Sequence, residues 1–206
     1  MTDAPHIPQT YLVSPPDPDP ASFAGQLGRL LDAGEVACVR LDLASRDEGR
    51  LTRIADAARE ACHARDVAVV LREHARLAGK LGLDGVHWSG PAAEIRRLRA
   101  DLGPDAILGA GCGASRHDGL VAGELGADYV AFGPAGDDPL SEARAVRDLF
   151  SWWSEMVELP VVAEGALTEA LIADLAPVAD WFALGPEVWD APDPAAALRA
   201  LQAAMR

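Results

Sequence analysis

Apolar and polar positions along the chain fall into two alternating textures. Short, mostly apolar runs recur between longer stretches whose apolar residues are spaced three and four apart. The short runs are Thr10–Val13, Val36–Leu43, Val67–Leu71, Gly85–Trp88, Ala106–Ala110, Tyr129–Phe132, Pro160–Glu164 and Trp181–Leu184. Between them the spacing predicts helices. Ala21–Ala33 sets Phe23, Leu27, Leu30 and Leu31 on one face, and Asp47–Ala64 does the same with Leu51, Ile54, Ala58 and Cys62. A third helix runs to Leu81, and a fourth starts at Pro91 and carries Ile95, Leu98 and Leu102. Asp118–Leu125, Ser141–Val157, a helix capped by Thr168 and a closing Pro192–Met205 complete the set.

Three of the short runs share one form: Leu83-Asp84-Gly85-Val86-His87 before Trp88-Ser89-Gly90-Pro91, Gly126-Ala127-Asp128-Tyr129-Val130-Ala131-Phe132-Gly133-Pro134, and Val178-Ala179-Asp180-Trp181-Phe182-Ala183-Leu184-Gly185-Pro186. Each has a small or acidic lead-in, a mostly apolar run and a Gly-Pro exit. Strands alternating regularly with helices are the mark of a parallel βα repeat. The expectation is an α/β fold, a single-domain (β/α)8 barrel over residues 10–206 behind a flexible tail, residues 1–9. The competing architecture, an open doubly wound sheet, is weakened because no G-x-G-x-x-G follows the first strand. In a barrel, function is sought in the loops at the C-terminal ends of the strands.

Half of the 206 residues are hydrophobic, enough for one sizeable core. A net charge of −14 argues against nucleic acid, whose phosphates need a basic partner surface. Cys38, Cys62 and Cys112 have neither disulfide nor metal spacing, which fits a reducing, cytoplasmic setting. No apolar run is long enough to span a bilayer, and the N-terminus does not read as a signal peptide.

Two corners carry candidate chemistry. Gly165-Ala166 and Gly185 follow the seventh and eighth strands, the usual phosphate-binding loops of such barrels, where backbone N–H groups do the binding. Pro186 removes a donor there and Glu187 adds a negative charge. His87, at a strand end, is a candidate general acid or base, or else a framework residue. Cys112, between two glycines, is a candidate nucleophile if its thiol is exposed. Trp152, Trp153, Trp181 and Trp189 read as large groups on or near outer helices, marking a homodimer face or packing helices onto the barrel.

Asp84-Gly85-Val86-His87, Ile107-Leu108-Gly109, the Gly126–Pro134 run, Leu159-Pro160-Val161-Val162-Ala163-Glu164-Gly165 and Ala191-Pro192-Asp193-Pro194 together resemble the thiamine phosphate synthase family, which includes the TenI-type thiazole tautomerases. The resemblance runs from Tyr11 to the last helix. It implies a (β/α)8 barrel, often dimeric. It also implies coupling of a pyrimidine diphosphate to a thiazole phosphate, with pyrophosphate released through a carbocation-like route that Mg²⁺ assists.

Against that pattern the ligand positions are substituted. The family's Gln-Leu-Arg and following Lys become Arg40-Leu41-Asp42 and Ala44, and its Asn-Asp becomes Arg72-Glu73. The metal-binding Asp after the fourth strand is missing from Trp88-Ser89-Gly90-Pro91, and a Thr-Lys-rich loop becomes Asp137-Asp138-Pro139. The tautomerases' histidine is Pro134, and a Gly-Gly pair is Gly165-Ala166. No metal site is therefore expected, Glu73 alone standing where Mg²⁺ would bind. Arg40, Asp42, Arg72, Glu73, Trp88 and Glu164 form the expected pocket. Its charges are either a rebuilt anion site or ion pairs plugging the mouth, with Asp42–Arg72 and Arg40–Glu73 as the expected pairs. Two functions stay open: an altered synthase of thiamin biosynthesis, or a non-catalytic relative binding a phosphorylated or thiamin-like small molecule or a protein partner.

Overall fold

All eight strands pair in parallel and in sequence order, and β8 returns to β1 to close a barrel. The structure is a computed structural model and describes residues 6–137 and 145–206. The strands are β1 Gln9–Val13, β2 Cys38–Leu41, β3 Ala68–Arg72, β4 Gly85–Trp88, β5 Ile107–Gly111, β6 Tyr129–Phe132, β7 Val161–Glu164 and β8 Trp181–Leu184. The helices are α1 Phe23–Ala33, α2 Glu48–His63, α3 Ala75–Leu81, α4 Ile95–Leu102, α5 Arg116–Glu124, α6 Arg147–Met156, α7 Glu169–Leu175, α8 Pro186–Trp189 and α9 Pro194–Ala203. No helix among the described residues is long and apolar enough to cross a membrane.

Alternation along each strand divides the core in two. Leu12, Val39, Leu41, Val69, Leu71, Val86, Leu108, Val130 and Phe132 join the larger cluster, which includes the buried faces of the helices. Tyr11, Cys38, Val70, Ala131, Val162 and Ala183 fill the barrel itself. The helices start where side chains satisfy free N–H groups: Asp47, Ser115, Thr168 and Asp193 each accept a bond from the residue three positions on.

The acidic lead-in of the repeated motif has a structural job. Asp84 Oδ2 accepts the Val69 N–H at 2.7 Å, Asp128 Oδ2 accepts that of Leu108 at 2.7 Å, and Asp180 Oδ2 accepts that of Val161 at 2.8 Å. Each carboxylate at the foot of an even strand holds the foot of the strand before it. The β1–β2 pair uses another device: Gln202 of α9 donates to Thr10 Oγ1 at 2.9 Å and to the Glu35 carbonyl at 2.7 Å.

Several boundaries differ from expectation. His6 docks on the Ala179 carbonyl at 3.0 Å and β1 begins at Gln9, so residues 6–9 are not a loose tail. Pro91 opens a short 3-10 turn, and α4 starts only at Ile95. Ser115 caps α5 earlier than Asp118, and Pro186 starts α8, where a loop after the eighth strand was expected. The expected start of the sixth helix at Ser141 lies outside the described residues. Trp181 is in β8, edge-on to Tyr11 at 6.5 Å, and not on an outer helix. Trp153 is buried with its Nε1 donating to the Leu159 carbonyl, and Trp189 donates to the Val13 carbonyl.

Candidate functional site in the barrel mouth

Strands β1, β2, β4, β6 and β7 bring one polar network into the barrel, from Tyr11 and Tyr129 within it to Arg40, His87 and Glu164 nearer its mouth. Arg40 is its centre, only 7 % exposed. Nη1 donates to Glu164 Oε2 at 2.7 Å and to His87 Nε2 at 3.2 Å, and Nη2 donates to Asp42 Oδ2 at 3.2 Å. Arg40 Nε and Asp42 Oδ1 face each other at 3.1 Å but out of line for a hydrogen bond, and neither has another hydrogen-bond partner. The guanidinium also lies 5.7 Å from the Tyr11 ring centroid. Burial pulls the Arg40 pKa down, but Glu164 first, then Tyr11 and Asp42, more than reverse it, so the group stays charged.

Because a guanidinium only donates, His87 Nε2 must accept. Nδ1 then carries the proton and donates to Tyr129 Oη at 3.0 Å, and Tyr129 meets Tyr11 Oη at 2.5 Å. Burial, with Arg40 and Arg72 nearby, holds the His87 pKa well below its ordinary range. The imidazole is neutral, fixed in one tautomer, and its single acceptor is spent on Arg40. That geometry makes it a framework residue and leaves it no lone pair for a substrate proton. Gly109 makes the arrangement fit, since a Cβ there would overlap the Tyr129 ring.

Arg72, at the rim, is 44 % exposed. It lies 3.6 Å from Asp42, 3.4 Å from Glu73 and 3.1 Å from Ser89 Oγ. The expected Asp42–Arg72 pair is therefore present but secondary, because Asp42 is held mainly by Arg40, two residues before it at the end of β2. The expected Arg40–Glu73 pair is replaced by Arg40–Glu164 across the barrel. Burial raises the Asp42 pKa more than Arg40 and Arg72 lower it.

Two candidates move away from the mouth. Trp88 is on the outer face of β4, packed among the helices with its Nε1 on the Pro91 carbonyl at 3.1 Å. Adjacent residues on a strand point opposite ways, so with His87 inside Trp88 is outside. Cys112 is buried, and that burial pushes its thiol up to about 12, far from a thiolate at neutral pH. Tyr11, Tyr129 and Ser89 were not singled out from sequence. The first two sit at inward strand positions, which was the available signal.

Mg²⁺, which the family resemblance brings, does not fit these donors. Asp42 is engaged by two arginines, and half-exposed Glu73 shares Arg72 with it. A divalent ion between Asp42 and Glu73 would lie against the Arg72 guanidinium. Among the described residues no group of three His, Cys, Asp or Glu side chains could hold a metal ion.

The corner after β7 and β8 is shaped by backbone. Gly165 and Ala166 take left-handed φ values of 83° and 53°. Glu187 Oε1 then accepts the Leu167 N–H at 3.0 Å and Oε2 accepts the Gly185 N–H at 2.9 Å. At the opposite end of the barrel a groove of about 990 Å³ is lined in part by Gln9, Asp32, Arg65, Arg199 and Gln202. It lies at the N-terminal ends of the strands, the end associated with stability.

Comparison with known proteins agrees with this frame. Residues 10–183 match the family described as thiamine monophosphate synthase. A thiamine-phosphate synthase of Rhodospirillum centenum is 40 % identical over 100 % of both chains. One of Hyphomonas neptunium is 39 % identical, over 94 % of this chain and 91 % of its own. Among solved structures, a thiamine phosphate pyrophosphorylase from Pyrococcus furiosus superposes with a TM-score of 0.82, 21 % identity and 96 % and 95 % of the two chains covered. A 3-hexulose-6-phosphate synthase gives a TM-score of 0.72 at 20 % identity, covering 94 % and 98 %. Closed barrel, strand motifs and full-length relatives converge: this chain belongs to the thiamine monophosphate synthase family.

Proposed function

We infer that this barrel binds a thiamin-type heterocycle in its C-terminal mouth and does not perform the metal-assisted displacement of pyrophosphate. One observation carries the reading: Arg40, the most buried cation of the mouth, is already neutralised by Glu164 and Asp42. An arginine so engaged is a poor ligand for a free diphosphate, because binding would have to break a short, partly desolvated ion pair. Asp42, Glu73, Glu164 and Glu187 outnumber Arg40 and Arg72, so the mouth favours a neutral or cationic ring over a polyanion. The inward aromatic rings of Tyr11 and Tyr129 supply apolar floor beneath it. A cytoplasmic setting belongs to the same reading, supported by three free, buried thiols.

The second reading, the synthase reaction itself, is favoured by the relatives of that name matched over the whole chain. A steady-state assay with pyrimidine diphosphate and thiazole phosphate, with and without Mg²⁺, separates the two. Under the first reading no pyrophosphate is released, while thiamin-type compounds raise Tm or give heat in a titration. Mg²⁺-dependent turnover abolished by Arg40→Met would establish the second.

A further inference from the structure

We propose that Glu187 is an internal counterpart of a ligand phosphate, and that it restricts this barrel to thiamin-type ligands lacking a phosphoryl group. The proposal rests on the mouth reading above and names the ligand class within it. Loops after the seventh and eighth strands are where barrels of this kind most often take a phosphate, through backbone N–H groups. Here the left-handed residues Gly165 and Ala166 carry the β7 loop round to Leu167, whose N–H meets the β8 loop. Both the Leu167 and the Gly185 N–H end on one carboxylate, that of Glu187, at 3.0 and 2.9 Å. Pro186, between Gly185 and Glu187, has no N–H to offer a second anion.

A carboxylate and a phosphoryl group ask the same thing of a protein: donors converging on anionic oxygens. Glu187 is half-buried and bridges the two loops, so it takes both the donors and the space. A ligand phosphate brought to this corner would lose those donors and meet a fixed negative charge. Arg40 cannot offset that charge, being committed to Glu164 and Asp42. A hydroxyl or methyl group at the same end of the ligand meets neither penalty. Glu187 is thus a specificity-determining residue that acts by exclusion, the repulsive half of selectivity.

The test uses the full chain as wild type, Glu187→Ala and Glu187→Gln, with inorganic phosphate, thiamin and thiamine phosphate as probes in thermal-shift and calorimetric titrations. Inorganic phosphate is expected to stabilise Glu187→Ala and to leave wild type unmoved. Wild type is expected to bind thiamin about tenfold or more tighter than thiamine phosphate, and Glu187→Ala to reverse that order. Glu187→Gln keeps one acceptor for the loops. It is expected to shift in the same direction, and it carries the test if the alanine variant fails to fold. Stabilisation of wild type and variants alike by phosphate, or of none of them, overturns the proposal. So does wild type binding thiamine phosphate as tightly as thiamin. If neither thiamin compound binds any protein while phosphate still selects the variants, the mouth reading falls and Glu187 stands as the occupant of the corner.

Discussion

Glu164 on β7 receives Arg40 Nη1 from β2 at 2.7 Å, a bond between residues 124 positions apart that crosses the barrel rather than running along the sheet. Both side chains are largely withdrawn from water, 22 % and 8 % exposed. Breaking such a pair from one side leaves a buried charge with reduced compensation. Arg40→Met is expected to destabilise the protein by about 3–5 kcal/mol. Glu164→Gln keeps an acceptor for the guanidinium and should cost less, about 1–3 kcal/mol. Urea denaturation of both variants checks the order, and a cost for Arg40→Met below that of Glu164→Gln would contradict the placement of Arg40 at the centre.

The neutral His87 gives stability a definite pH dependence. In the unfolded chain the imidazole takes up a proton below its ordinary value of 6.5, while in the folded protein it does not, its pKa being lowered by burial and by Arg40 and Arg72. The unfolded state therefore binds more protons in that window, and stability falls as pH drops from 6.5 toward the lowered value, by at most about 1.4 kcal/mol per pH unit. Asp42, raised from 3.8, contributes with the opposite sign above that value. The difference between wild type and His87→Gln isolates the histidine. Stability against pH should be steeper for wild type between about pH 5 and 6.5, and parallel curves would show that His87 is charged when folded.

Glu73 sits at φ 65°, a left-handed conformation that costs a non-glycine residue about 1 kcal/mol. Its side chain offers little in return, one half-exposed contact with Arg72 at 3.4 Å. Glu73→Gly should therefore be neutral or raise stability by up to about 1 kcal/mol, the relief of strain being partly offset by a more flexible unfolded chain. A clear loss of Tm would show that Glu73 holds the mouth together.

At the foot of the barrel, Asp128→Ala removes the acceptor of the Leu108 N–H and the partner of Arg99, 2.5 Å away. The stranded N–H predicts a loss of about 1–3 kcal/mol. Asp128→Asn, which keeps an oxygen, should retain most of the stability. Asp101→Ala on the exposed face of α4 serves as control, expected within about 0.5 kcal/mol of wild type.

Much of this was legible in the sequence because it is local. Period-2 and period-3.6 texture marked the alternation of strands and helices, and Thr168 announced α7 by its own hydroxyl. What failed was set by distance in sequence. The α4 boundary at Ile95 and the helix at Pro186 depend on how loops settle on neighbouring strands, which no short window contains. In the mouth, alternation placed Arg40 and Asp42 on one inward face, as found. The partner of Arg40 was sought on adjacent β3, because neighbouring strands are the nearest reference. Closure of the sheet instead brings β7 opposite β2, and an arginine is long enough to reach it. Trp88 and His87 could not both face inward, a conclusion available from adjacency alone.

The Gln202 bridge sets a rule for when the barrel can be fastened. Asp84, Asp128 and Asp180 each secure strands that are near one another in the chain, so those staples can close as synthesis proceeds. The Thr10 hydroxyl and the Glu35 carbonyl have to wait for a side chain of α9. A chain that stops short of α9 holds three strand pairs stapled by carboxylates, while its first seam relies on the β1–β2 ladder and on Ser14 Oγ, which accepts the Asp42 N–H at 3.0 Å. The foot of the first strand pair is thus fastened by a side chain 192 positions away from Thr10.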